Sequence, residues 1–217
     1  MSTQQPTWTT LRLRKLEAVS GVVLLAFVTE HACANALLIL PDPEWFDGYV
    51  HSMSRWWTVR IAEFILACTF IAHISGGWVL RKRTTAVLKK RTTALQSQPM
   101  TLRLVGFTGT ALLIFLVLHV SMFVAPRLLH GAAQPGYYQA RLALSSLPVV
   151  VLHCAAMVAL VLHLRYGIAA AITVFPGIPK PWIPAVKRWA LRLAFGSPLA
   201  LAAVSLAVFL SMLLADP

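Results

Sequence analysis

The chain is 217 residues long, 58% hydrophobic and only 12% charged. A soluble domain carries roughly 45–50% apolar and about 25% charged residues, so this composition excludes an ordinary water-soluble enzyme and fits about five bilayer spans with short connections. The net charge of +12 does not point to nucleic acid, because Lys and Arg are spread in groups between apolar runs.

The first apolar run, near 18–40, follows Arg12, Arg14 and Lys15 and carries His31 deep inside. Ala32-Cys33-Ala34 imitates a signal-peptide cleavage site, but the run continues through Leu37-Leu38-Ile39-Leu40 as a span does, and the helix is expected to stay. The second run, near 59–80, holds His73, with Trp56-Trp57 at one end and Trp78 near the other, as in an interfacial aromatic belt. The third, near 104–126, holds His119. Gly76-Gly77 and Gly106 are expected to permit close approach of a helix or cofactor. The fourth run, near 142–175, holds His153 and His163. It exceeds what a bilayer needs, so it should tilt or protrude, and Pro148 should kink it. The fifth, near 195–214, has no histidine, and Trp182 and Trp189 before it are expected at the inner interface.

The expected fold is one all-α integral membrane domain over 1–217, with five transmembrane helices: a four-helix core plus a fifth. No internal repeat is expected beyond the recurring histidine. Cys33, Cys68 and Cys154 fall in three different runs, with no CxxC or CxxCH, so a zinc site, a loop disulfide and covalent c-type haem are not expected.

Charge gives the orientation. Alternate connections hold Arg12, Arg14 and Lys15; then Arg81, Lys82, Arg83, Lys89, Lys90, Arg91 and Arg103; then Arg165, Lys180, Lys187, Arg188 and Arg192. The others hold Arg55, Arg60, Arg127 and Arg141 with Asp42, Glu44 and Asp47, and Asp216 lies at the C-terminal end. The positive-inside rule then puts the N-terminus in the cytoplasm and the C-terminus outside.

His31, His73, His119 and His163 recur at intervals of 42, 46 and 44 residues, one in each of the first four runs. An imidazole in hydrocarbon is costly without a partner, and four in such order suggest a shared one. At 1.5 Å per residue, His31 and His119 lie roughly 20–25 Å from the cytoplasmic side. His73 and His163 lie near the inner face on helices that run the other way. The four form an outer pair and an inner pair, roughly 10–20 Å apart. Two facing neutral imidazoles from different helices can serve as the axial ligands of a haem iron, and imidazole also suits other metals. No carboxylates cluster with them, which argues against a di-iron bundle. His51 and His130 belong in or near outer loops, and His153, ten residues before His163, turns about 80° away from it. A backbone or propionate contact is its expected role.

Two stretches resemble the cytochrome b membrane subunit of succinate:quinone oxidoreductases and fumarate reductases. Lys15-Leu16-Glu17-Ala18-Val19-Ser20-Gly21 is similar to that family's opening K-x-x-A-x-S-G, and Leu162-His163-Leu164-Arg165-Tyr166-Gly167 to its fourth-helix H-L-x-H-G, with Tyr166 in place of the second His. The chain resembles the single-subunit, five-helix, two-haem variety over nearly its whole length. The resemblance implies two non-covalent haems b, the outer held by His31 and His119 and the inner by His73 and His163. It implies docking of an FAD-containing flavoprotein and an iron–sulfur subunit on the cytoplasmic face, and electron transfer to or from a quinone, with menaquinone expected. It implies a place in a bacterial cytoplasmic (inner) membrane. The chain would not be catalytic alone. Val161 stands where some fumarate reductases carry a Glu, so a proton route through that residue is not expected.

Within the spans lie two acids, Glu30 and Glu63, which with Trp57 are the candidate quinone site near the outer haem. The plainer role for these acids is a bond to a neighbouring helix or a pair with Arg60 or Arg141. The rival functions are another quinol-linked di-haem cytochrome b, whose ligands typically come in pairs on two helices, and a haem-free membrane anchor.

Overall fold

The computed structural model describes residues 8–91, 100–125, 136–174 and 179–215. His130, Arg127, Asp216 and the far ends of the third and fourth expected spans lie outside them. The described residues are 94% helical and contain no strand, and five helices are long and apolar enough to cross a membrane.

Helix α1 spans Trp8–Ala36 and closes with a 3-10 turn at Leu37–Ile39. Helix α2, Pro43–Arg55, forms within the acidic connection; the Asp42 carboxylate caps it by accepting from the Glu44 N–H at 2.9 Å, and Pro sits in its first turn. Helices α3, Trp57–Arg91, and α4, Met100–Phe123, follow. At 35 residues α3 is about 52 Å long, far more than a ~30 Å hydrocarbon core requires.

The fourth run differs from the expected single kinked helix. A short helix α5, Tyr137–Leu144, ends at Ser145-Ser146, and a separate helix α6, Leu147–Ile172, begins there. Pro148 falls in its first turn, where its missing N–H costs nothing, so it starts the helix instead of bending it. Helix α7, Ile183–Ala215, is 33 residues long, with Trp189 within it and Trp182 in the 3-10 turn before it.

Large apolar side chains point outward and small ones inward. Phe64 and Phe107 are 70% and 73% exposed, whereas Ala18, Ser20, Ala32, Thr108, Ala156, Ala194, Ser197 and Ser205 are buried. Lipid solvates Leu and Phe as well as a protein core does, so close helix contact in a bilayer selects small residues. A conventional apolar cluster occurs at the acidic end, where Leu38, Phe46, Tyr137, Leu144, Val204 and Val208 pack together. There Tyr137 donates to the Leu40 carbonyl at 2.9 Å, and Arg141 to the Leu38 carbonyl at 3.1 Å and Ser211 Oγ at 2.6 Å.

Helix α1 packs on α3, α6 and α7; α6 also packs on α4 and α7. The α1–α4 and α3–α6 pairs are not among the closely packed ones. The bundle is therefore two packed pairs, α1 with α3 and α4 with α6, facing each other and closed on one side by α7. We call the end holding the start of α1 and the Arg81–Arg91 stretch the basic end, and the end holding α2 the acidic end.

Candidate functional site: two layers of paired histidines

The histidines meet across the two loosely packed helix pairs. His73 of α3 and His163 of α6 have ring centres 6.2 Å apart with planes at 72°. His31 of α1 and His119 of α4 have ring centres 6.0 Å apart with planes at 87°. The histidines thus group by depth, although at the acidic end His153 stands nearer His119 than His31 does, at 5.7 Å.

The layer spacing can be read on two helices. Gly21 of α1 lies against His73, and Gly109 of α4 against His163, with each ring Cε1 at 3.5 and 3.3 Å from where a Cβ would stand. His31 follows Gly21 by ten residues and His119 follows Gly109 by ten. Both intervals give about 15 Å. His153, ten residues before His163 on α6, accordingly reaches the other layer, with its ring centre 5.7 Å from that of His119.

At the basic end, hydroxyls fix the rings. Ser20 Oγ donates its one hydrogen to the Leu16 carbonyl at 2.8 Å, so it accepts from His73 Nδ1–H at 2.9 Å. Thr108 Oγ1 donates to the Leu104 carbonyl at 2.8 Å and accepts from His163 Nδ1–H at 3.3 Å. Both protons are thereby held on Nδ1, which leaves both Nε2 lone pairs free for a metal. A hydroxyl–glycine step, Ser20-Gly21 and Thr108-Gly109, thus serves both helices and stands ten residues before a histidine in both. This is an internal repeat beyond the histidines alone, contrary to expectation. It was legible as spacing, but not as function until the rings were seen against it.

At the acidic end, aromatic rings do the framing. Phe27 stacks on His31 at 5.4 Å, and Phe115 and Phe123 lie 5.4 and 4.9 Å from His119. His119 Nδ1 is buried without a hydrogen-bond partner. His153 Nδ1–H donates to the Val149 carbonyl at 2.8 Å, the backbone contact expected of it. Among the described residues, no group of three or more His, Cys, Asp or Glu is placed to hold a metal ion.

Gly76, Gly77 and Gly106 each lie against a side chain from a neighbouring helix. Glu17 lies against Gly76 and Gly77, and Arg81 against Gly106, so closely that a Cβ at Gly76 or Gly106 would collide. Neither Glu17 nor Thr108 stood out as a site residue in the sequence, since a carboxylate near a span end and a threonine in an apolar run are both ordinary.

The three quinone candidates have separate surroundings. Glu30 accepts a short hydrogen bond from Tyr49 of α2. Glu63 pairs with Arg60 at 3.6 Å, and Trp57 is 72% exposed. Outside the spans, burial of the Tyr49 phenol and its bond to Glu30 raise its pKa from 10.0 to about 12, so it remains a proton donor at neutral pH.

Comparison with family models, with curated proteins and with solved structures finds no match to the chain.

Proposed function

We propose that this chain is the membrane cytochrome b subunit of a succinate:quinone oxidoreductase or fumarate reductase complex, with two b haems held by His73 and His163 at the basic end and by His31 and His119 at the acidic end. The observation that carries the reading is the pair of facing imidazole sets, 6.2 and 6.0 Å between ring centres, about 15 Å apart along the bundle. Ring centres at this separation would admit one metal atom bonded to a nitrogen of each imidazole, at about 2 Å per bond. Two donors per layer leave a bare ion short of its usual four to six ligands, which suits a group that brings its own in-plane ligands. The α1–α4 and α3–α6 pairs are not closely packed, so imidazoles and not backbones meet there, and His119 Nδ1 is buried without a hydrogen-bond partner.

A haem in each layer supplies a one-electron couple. The chain's own residues do the rest. Ser20 and Thr108 hold the protons on Nδ1 of His73 and His163 and keep Nε2 unprotonated. Phe27, Phe115 and Phe123 confine the acidic-end rings and exclude water from them. In the proposed orientation the basic end faces the cytoplasm of a bacterial inner membrane, and the Arg81–Arg91 and Lys180–Arg192 stretches dock the iron–sulfur subunit, with the flavoprotein beyond it. Quinone, menaquinone by expectation, meets the chain at the acidic end, where the Tyr49–Glu30 pair holds a proton beside the His31 layer. Glu30 has this partner, whereas Glu63 is occupied by Arg60, which moves the weight of the quinone proposal to Glu30.

The test is the purified chain from haem-replete cells. A b-type reduced-minus-oxidised spectrum and two haems per chain by pyridine haemochrome are expected. A colourless chain from such cells would overturn the reading in favour of a haem-free anchor.

A further inference from the structure

The two helices that cradle the basic-end histidines repeat each other with one difference. On α1 the order is Glu17, Ser20, Gly21; on α4 it is Val105, Thr108, Gly109. Both place a hydroxyl on a histidine Nδ1 and a glycine on its Cε1. The side chain three residues before the hydroxyl is a carboxylate on α1 and an isopropyl group on α4. Glu17 uses it: Oε2 lies 3.4 Å from His73 Nδ1, with the Glu17 side chain 19% exposed and that of His73 24%. Oε1 is buried without a hydrogen-bond partner. The carboxylate is wedged against Gly76 and Gly77, three and four residues beyond its histidine on α3, and a Cβ at Gly76 would strike Oε1.

We propose that Glu17 is a positioning residue that sets the reduction potential of the basic-end haem through His73, and that Gly76 exists to seat it. This rests on the reading of the histidine pairs as haem ligands. The reasoning is that of outer-shell carboxylates on metal-bound imidazole. A carboxylate 3.4 Å from the Nδ1 whose proton Ser20 holds stabilises positive charge on the imidazole, and so would favour the oxidised state of a metal bound at its Nε2. A negative charge in a poorly hydrated bundle acts in the same direction. His163 has the Thr108 hydroxyl, with Val105 at the position in α4 that Glu17 holds in α1, so the effect enters from one side of one site. At the other layer the nearest carboxylate is Glu30, next to His31 along the chain, and it is taken up by the Tyr49 hydroxyl; the rings of His31 and His119 themselves contact Phe27, Phe115, Phe123 and His153. The chain thereby makes two chemically similar bis-imidazole sites unequal, with the basic-end site held at lower potential than it would have with a hydroxyl alone.

The experiment is a redox titration of the purified, haem-loaded chain, followed in the visible bands, for wild type, Glu17→Gln and Gly76→Ala. Gln keeps the size of Glu and removes its charge, and the Cβ of Gly76→Ala pushes the intact carboxylate off its seat. In both variants one of the two components moves to higher potential, with the larger shift in Glu17→Gln, while the other component stays in place and both haems keep their low-spin spectrum. Should Glu17→Gln fail to assemble, Gly76→Ala decides alone. Two haems bound and both components unmoved would overturn the role of Glu17 and leave the haem reading intact. A wild-type chain that binds no haem would overturn the haem reading itself, and the role of Glu17 with it.

Discussion

The two histidine layers are built from the same ligand type by different means. At the basic end, polar groups one helix away set the proton positions: Ser20 and Glu17 for His73, Thr108 for His163. At the acidic end, rings set the orientation: Phe27 for His31, and Phe115, Phe123 and His153 for His119. A hydrogen bond fixes a tautomer, whereas an aromatic contact fixes a plane but leaves the choice of nitrogen open. The protein's own groups thus fix the tautomers of the basic-end pair, whereas at His31 and His119 they fix ring planes alone. A bundle assembled around small buried residues can hold both kinds, because its histidines reach across helix pairs that do not pack tightly.

The largest effect that separates the layers comes from removing a ligand. His73→Ala or His163→Ala should halve the haem content and spare the acidic-end haem, and His31→Ala or His119→Ala should do the reverse; haem content per chain and the shape of the redox titration measure both. His153→Ala is expected to keep both haems, because its Nδ1 serves the Val149 carbonyl and His119 already faces His31. Loss of a haem in His153→Ala with none lost in His119→Ala would show that the pairing is wrong.

Next in size is loss of a hydroxyl. Thr108→Val and Ser20→Ala should weaken haem retention at the basic end alone, by about 10–100-fold as for other second-sphere partners of metal-bound histidine. Thr108→Val should be the more severe, since His73 keeps the Glu17 carboxylate when Ser20 is lost. Gly109→Ala should likewise exceed Gly21→Ala, because the added Cβ stands 3.3 Å from the ring in one case and 3.5 Å in the other. Haem release to a competing apo-haemoprotein reads all four, and equal effects on both layers would erase the distinction drawn between them.

A smaller effect tests the acidic end as the quinone side. Glu30→Gln should reduce quinone-linked turnover of the assembled complex several-fold with haem content and dye-linked succinate oxidation unchanged. Glu63→Gln should change neither, because its exposed pair with Arg60 is of the kind that contributes at most about 1 kcal/mol. Unchanged quinone turnover in Glu30→Gln would move the quinone to the basic end.

The smallest effect is on Tyr49. Its phenol should titrate near pH 12, against 10.0 for an ordinary tyrosine, in an ultraviolet pH titration that compares wild type with Tyr49→Phe. Because the folded value is the raised one, the bond to Glu30 contributes fully below pH 10 and is lost as the pH climbs to about 12. A phenol titrating at its ordinary value would mean that the Tyr49–Glu30 contact does not form in the membrane.

Several features were already determined by the sequence alone, and for physical reasons. Five apolar runs demand helices, because a backbone in hydrocarbon must satisfy its own hydrogen bonds. The histidine register within those runs sorts His31 with His119 and His73 with His163, because helical rise converts residue number into depth. Other features were not legible. Pro148 reads as a kink until Ser145 and Ser146 are seen to end the helix before it, which makes it a helix start. Gly76-Gly77 reads as a helix contact until Glu17 is found seated on it. The partners of each imidazole nitrogen depend on rotation about helix axes and on which helices pack. Those are set by small residues meeting across the bundle, and the tertiary structure alone decided that Ser20, Glu17 and Thr108 face the rings.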